Sequence, residues 1–235
     1  MLHQRIRLPA GDVLIHCGDF SNDGTEKECA DFCRWVAAQP FKYKLLVCGN
    51  HDLPCDGNWY QEHWKEWHES FQSPGRVADM LEEAGITVMS SGYSLRIDGI
   101  CFYGSPLQPR QPKTRRPMAF GKRRGIELKE EWAKIPTGVD VLLTHTPPAN
   151  ILDASDHAGR QGRSIGCEEL AKAVSQRTDL SVHVFGHVHG GYGVHRTRKT
   201  CFINAASAAA PRGEDGLLNA PIVFDISRRS SNPAN

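Results

Sequence analysis

Nothing in this chain comes close to the run of about 18 consecutive apolar residues that a membrane-spanning helix needs. The stretch from Met1 to Pro9 also carries no hydrophobic core of a signal peptide. A cytoplasmic protein is the expectation. No Cys-x-x-Cys pair occurs among the eight cysteines, so a thiolate zinc site is not indicated. Cys17, Cys48 and Cys101 sit in apolar strand-like runs and Cys33 in a helix-like one, where buried reduced thiols usually lie. Charge of one sign is missing too: the formal net charge is +1 over 235 residues, which gives no global signal for nucleic acid or membrane. There is no internal repeat and no linker. The chain is therefore expected to be one domain over residues 1–227 with a disordered tail at 228–235, large enough for one sizeable core.

What is there is a series of short apolar runs that stop at glycine and a polar side chain. Gly11 to Cys17 reads as a strand ending at Gly18-Asp19, and residues 43–48 as a strand ending at Gly49-Asn50-His51-Asp52. Residues 138–144 read as a strand ending at His145, and 182–185 as one ending at Gly186-His187-Val188-His189. Between the first two, Thr25 with Glu28 forms a capping box, and Ala30, Cys33, Val36 and Ala37 make an apolar stripe. Tyr60, Trp64, Trp67 and Phe71 recur at helical spacing as a core-facing or pocket-wall stripe, and Ser73-Pro74 starts a helix running to Gly85. Further helices are expected at 127–134 and 167–177, and further strands at 86–89, 93–97, 100–104, 200–204 and 221–226. Residues 110–124 hold seven basic residues (Arg110, Lys113, Arg115, Arg116, Lys122, Arg123, Arg124) and no acid. They read either as a solvated loop or as a flank that attracts an anionic substrate.

In an α/β sheet, ligands gather where strands end. Four strand ends here carry Asp19, Asn50 with His51, His145, and His187 with His189. Imidazole, carboxylate and amide oxygen without thiolate suit Mn, Fe, Zn or Ni better than Ca. His187 and His189, two apart in an extended segment, would point the same way.

In order and spacing, Gly18-Asp19, Gly49-Asn50-His51-Asp52, Thr144-His145 and Gly186-His187-Val188-His189 resemble the motifs of the calcineurin-like metallophosphoesterase superfamily over nearly the whole chain. Gly-Asp-Phe, Thr-His-Thr-Pro-Pro and His-Val-His-Gly-Gly-Tyr-Gly look most like its small MPPED-type phosphodiesterase branch. The phosphoprotein phosphatases are less similar, because Asp19 is followed by Phe20-Ser21-Asn22-Asp23-Gly24 without their arginine. The resemblance implies a four-layer α/β/β/α sandwich with mixed sheets and a site for two divalent metals. By it Asp19 would bridge the two ions, Asn50, His145 and His187 would hold the second, and His189 would join the first. His51 would contact phosphate and protonate the leaving oxygen, with Asp52 as its orienting partner. The implied reaction is hydrolysis of a small or nucleotide-like phosphodiester by a metal-activated hydroxide. A near-neutral chain with one basic loop offers no continuous groove for a nucleic-acid polymer.

One block of the family pattern has no counterpart. The superfamily opens with a strand ending in Asp-x-His, which supplies two ligands to the first metal, and Met1 stands just after its place. His3 lies on the wrong side to replace it. The first strand is therefore expected to be missing. The readings are a truncated N-terminus, a protein with one strong metal site and a weak first one, or a relative that binds metal, nucleotide or phosphate without turnover.

Overall fold

The computed structural model describes residues 2–110, 117–156, 160–209 and 218–227. Lys113, Arg115 and Arg116 of the basic stretch, and the tail at 228–235, lie outside the described residues. In chain order the elements are β1 (Val13–His16), α1 (Glu26–Ala37), β2 (Tyr43–Leu46), α2 (Gly57–His63), α3 (Pro74–Glu83) and β3 (Thr87–Val88). They are followed by β4 (Ser94–Ile97), β5 (Ile100–Ser105), β6 (Gln108–Pro109), β7 (Gly121–Lys122), α4 (Ile126–Trp132) and β8 (Val141–Thr144). The last are α5 (Glu168–Ser175), β9 (Val182–Phe185), β10 (Gly193–Arg196) and β11 (Cys201–Asn204).

β8, β9 and β11 are buried along their whole length, as central strands of a sheet covered on both faces require, whereas β1 is only half-buried. β1, β2 and β3 form a parallel three-stranded sheet in that order. A second sheet runs β10-β11-β9-β8-β5-β4, parallel through its centre and antiparallel at both edges. The two sheets meet face to face through Leu45, Val47 and Met89 on one side and Phe102, Val141, Leu143, Val184 and Ile203 on the other. On the outer face of the small sheet, Cys29, Phe32, Cys33 and Val36 of α1 and Val77 and Leu81 of α3 pack over Leu46 and Cys48. On the outer face of the large sheet, Leu128 and Trp132 of α4 and Leu170 and Val174 of α5 pack over Tyr103, Leu142, Phe185 and Phe202. The result is the four-layer α/β/β/α sandwich. Among the described residues, no helix is long and apolar enough to cross a membrane.

Several details differ from expectation. In α1 the buried face runs through Cys29 and Phe32, and Ala37 is exposed, because the larger side chains take the core positions. The capping box between Thr25 and Glu28 is present. The Tyr60–Phe71 stripe is not one helix: α2 stops at His63, a 3-10 turn follows at Trp64–Glu66, and Phe71 is exposed. The Tyr60 hydroxyl lies 2.6 Å from His68 Nδ1 and ties the chain back across that break. β10 was not foreseen. The run at 221–226 forms no strand, although Ile222, Phe224 and Ile226 alternate onto the inter-sheet core. β1 pairs only with β2 among the described residues, so the small sheet has an open edge there, and alternation without a partner strand makes no ladder.

Candidate metal centre

Each candidate ligand stands just past a strand of one of the two sheets. Asp19 follows β1 and Asn50 follows β2, both from the small sheet; His145 follows β8 and His187 follows β9, both from the large one. The site therefore lies where the two sheets meet. The chain reaches it by sharp local turns. Asp19 and His187 adopt left-handed backbone, with φ of 57° and 66°, a conformation that costs a non-glycine residue energy and is kept where surrounding structure enforces it. A Cβ at Gly49 would strike Asp19 Oδ1 and lie 2.6 Å from His145 Cε1, so the backbone passes too close to the donors for any other residue.

Asp19, His145 and His187 each offer a ligand atom within 4.8 Å of the others. The His145 ring fixes the chemistry. Its Nδ1 lies 2.7 Å from the Cys17 carbonyl, an acceptor only, so Nδ1 carries the proton. The other nitrogen, Nε2, is turned to the site, 2.9 Å from Asn50 Oδ1 and 3.4 Å from Asp19 Oδ2. Three electron-pair donors converge with His187 beside them, its ring 4.7 Å from that of His145. Without a metal, a proton on Nε2 bridges these groups; a divalent ion would take its place, and oxygen plus imidazole fits a divalent transition metal. The charges point the same way. Burial disfavours an ionised Asp19, yet His145 beside it, with His51 and His187, holds the carboxyl well below its usual range. Burial opposes a charged His145, but Asp19, the Cys17 carbonyl and Asp52 together raise its pKa. His187 is pushed down to about 3 by burial and by His145, which leaves its imidazole neutral as a ligand must be.

His189 is not in the tight set. It lines a cavity of about 170 Å³ beside it, together with Asp19, His187, His16 and His3. His3, dismissed from sequence, is thus brought to the wall of the site by a short turn at Leu2–Arg5, and it pairs with Asp31 at 3.2 Å. His16 Nδ1 accepts from the Gly18 N–H at 3.2 Å, so its Nε2 holds the ring's proton; His16 is a donor toward its surroundings and not a ready ligand.

His51 and Asp52 do not form the expected pair. His51 Nδ1 lies 2.6 Å from the Asn22 carbonyl, and this backbone oxygen orients the ring. Asp52, fully buried, turns inward and accepts from Asp19 N at 2.9 Å, Gly49 N at 2.7 Å, Ser21 N at 3.0 Å and Ser21 Oγ at 2.7 Å. It clamps the first ligand loop to the second. Burial and the Asp19 carboxylate push its pKa up to about 7, against the pull of those donors. Consecutive side chains in a tight turn diverge, which is why adjacency in sequence misled. Asn204, at the end of β11, was also missed; its amide donates to the carbonyls of Leu152 at 2.9 Å and Val188 at 2.8 Å and holds the His187–His189 segment. Of the basic stretch, Arg123 pairs with Glu127 at 2.5 Å and Arg124 with Glu168, so acids from elsewhere neutralise part of it.

The profile of the calcineurin-like phosphoesterases matches residues 1–191. Human metallophosphoesterase domain-containing protein 1 is 34% identical over 226 residues, which is 94% of this chain and 66% of that protein. The chain thus spans about two thirds of that relative's length. UPF0046 protein K07C11.7 of Caenorhabditis elegans is 35% identical over 232 residues, 96% of this chain and 71% of that one. More distantly, a protein of Arcobacter nitrofigilis named probable glycerophosphodiester phosphodiesterase GpdQ is 23% identical over 189 residues, 80% of this chain and 60% of its own. A solved crystal structure superposes with a TM-score of 0.56 at 15% identity, covering 83% of this chain and 79% of that one, which supports the fold.

Proposed function

Because this chain belongs to the calcineurin-like phosphoesterase family, whose members are metal-dependent phosphoester hydrolases, we propose that it hydrolyses the phosphodiester bond of a small or nucleotide-like substrate. The observation that carries the reading is the convergence of His145 Nε2 on Asn50 Oδ1 and Asp19 Oδ2, with His187 beside them. Asp19, Asn50, His145 and His187 would hold a divalent ion, with His189 on the cavity side available to another. Metal ions of this kind lower the pKa of a bound water toward 7 and neutralise phosphoryl oxygens. The chain's own residues supply the rest. The His51 backbone N–H donates to Asp19 Oδ1 at 3.0 Å and fixes the carboxylate. Its ring, with the Nδ1 proton committed to Asn22, presents Nε2 as the atom that can carry a proton to the departing alkoxide. Asp52 and Ser21 hold the two loops in register so that these groups face one point.

The diester preference draws support from the printed name of the Arcobacter relative and from the absence of the phosphatase arginine after Asp19. Manganese is the proposed metal for assay. The eight unpaired cysteines, most of them buried, agree with a reducing compartment such as the cytoplasm. A second reading, a metal-binding relative of low turnover, is favoured by the place of His189 outside the tight set. The test is Mn²⁺-dependent hydrolysis of an aryl phosphodiester by the purified chain, beside His145→Ala. Turnover that disappears in the variant is the expected result. Metal-bound protein with no turnover would overturn the hydrolase reading in favour of the second.

A further inference from the structure

His183 has no part in the site so far. It stands mid-strand in β9, fully buried, with ring centroids 4.9 Å from Phe185 and 5.8 Å from Phe202. A polar ring among aromatic neighbours is costly to bury, and an apolar residue would fill the place more cheaply. Its single hydrogen bond runs from Nε2 to Thr144 Oγ1 at 2.8 Å. That hydroxyl lies 2.7 Å from the Thr146 carbonyl, to which it donates. A hydroxyl has one proton, so Nε2–H must be the donor to Oγ1. The other tautomer would bury an unpaired Nδ1–H and set two oxygen lone pairs against each other. Nδ1, which has no hydrogen-bond partner, is then a bare acceptor.

These two bonds span the turn Thr144-His145-Thr146, each residue of which is at most 1% exposed. The carbonyl of His145 accepts from Gly186 N at 3.1 Å, which joins the same turn to the loop carrying His187. We infer that His183 is a positioning residue for the metal centre: through Thr144 it locks the turn that aims His145 Nε2 at Asp19 and Asn50. The inference rests on reading His145 as a metal ligand. His183 touches no ligand directly and acts only through the hydroxyl.

The experiment is calorimetric titration of Mn²⁺ into the metal-free chain. His183→Leu keeps the volume and removes the donor, and it should weaken Mn²⁺ binding by about 10- to 100-fold, the usual cost of losing an outer-shell partner. His183→Gln, whose amide N–H reaches the place of Nε2–H, should recover most of that loss. Thr144→Val should match His183→Leu, and the double variant should be no worse than either single one, because one relay has been cut twice. Wild-type affinity in Thr144→Val or His183→Leu overturns the inference. Equal weakening in the leucine and glutamine variants also overturns it, since the role would then be packing. If His183→Leu does not fold, Thr144→Val, which lacks only a hydroxyl, decides. If the wild-type chain takes up no Mn²⁺, the metal reading fails on its own, and ¹⁵N NMR of the metal-free chain decides the positioning. A His145 Nδ1–H that is protected from exchange by the Cys17 carbonyl and loses that protection in Thr144→Val supports the lock; unchanged protection refutes it.

Discussion

Asp52→Asn should act on stability before it acts on catalysis. Asp52 accepts four hydrogen bonds and donates none: Oδ2 takes the N–H groups of Gly49 and Asp19, and Oδ1 takes the N–H and hydroxyl of Ser21. Asparagine is the same size, but one of its ends is an NH₂. With the amide oxygen kept on Ser21, the NH₂ faces two backbone N–H donors, so two hydrogen bonds to a charged acceptor are lost in a fully buried place. At about 1.5–3 kcal/mol each, the loss is about 3–6 kcal/mol. That is a large share of the roughly 5–15 kcal/mol that holds a typical domain together. Urea unfolding followed by circular dichroism should show the midpoint falling by about 1–2 M at an m-value near 3 kcal/mol/M.

The contrast with the expected role is sharp. If Asp52 oriented His51, the asparagine variant would fold almost normally and lose rate. Here the ring is held by the Asn22 carbonyl, and the two loops carrying Asp19 and Asn50 are what come apart. An Asp52→Asn chain that unfolds within about 1 kcal/mol of wild type would refute the clamp, because no arrangement of the amide satisfies all four donors.

Other perturbations test neighbouring parts of the argument. Gly49→Ala puts a methyl group against Asp19 Oδ1 and His145 Cε1, so it should lower stability by about 2 kcal/mol or more and abolish tight Mn²⁺ binding; a well-folded, metal-binding alanine variant would contradict the close approach. The purified chain should bind close to one Mn²⁺ tightly, since among the described residues Asp19, Asn50, His145 and His187 are the donors gathered, and two tight ions per chain would sink that count. Because those ligands come from both sheets, Mn²⁺ at about 100 times its Kd should raise stability by about 2.7 kcal/mol in wild type and not in His145→Ala, read as a melting shift. His183 is pushed down to about 3 by burial, below its unfolded value near 6.5, so the unfolded chain binds the extra proton and stability falls as pH drops through that window. His183→Gln should therefore flatten the acid slope of unfolding free energy by about 1.4 kcal/mol per pH unit between pH 6 and 4; an unchanged slope would mean that the ring is not buried neutral.

What the sequence shows and hides follows from how far apart the causes lie. Strand ends marked by glycine and a metal-type donor are local signals, whereas the four layers are implied by the resemblance to the family. Asp19, Asn50, His145 and His187 are therefore legible one by one. Their convergence is not local: it depends on two sheets closing face to face through Leu45, Val47, Leu143 and Val184. The failures are all of that second kind. Asp52 looks like a partner for His51 because the two are adjacent, but its hydrogen bonds run to residues 31 and 33 positions away. The alternation of Ile222, Phe224 and Ile226 finds the correct core face, yet a strand also needs a hydrogen-bonded neighbour, and among the described residues none pairs with 221–226. His183 and Asn204 carry no motif at all. Each is a polar side chain in an apolar strand, and the physical rule that a buried polar group must have a partner is the one signal that would have singled them out. Applied to β9 and β11, that rule sends attention to Thr144 and to Leu152 and Val188, and so to the backbone that holds His145 and His187 in place.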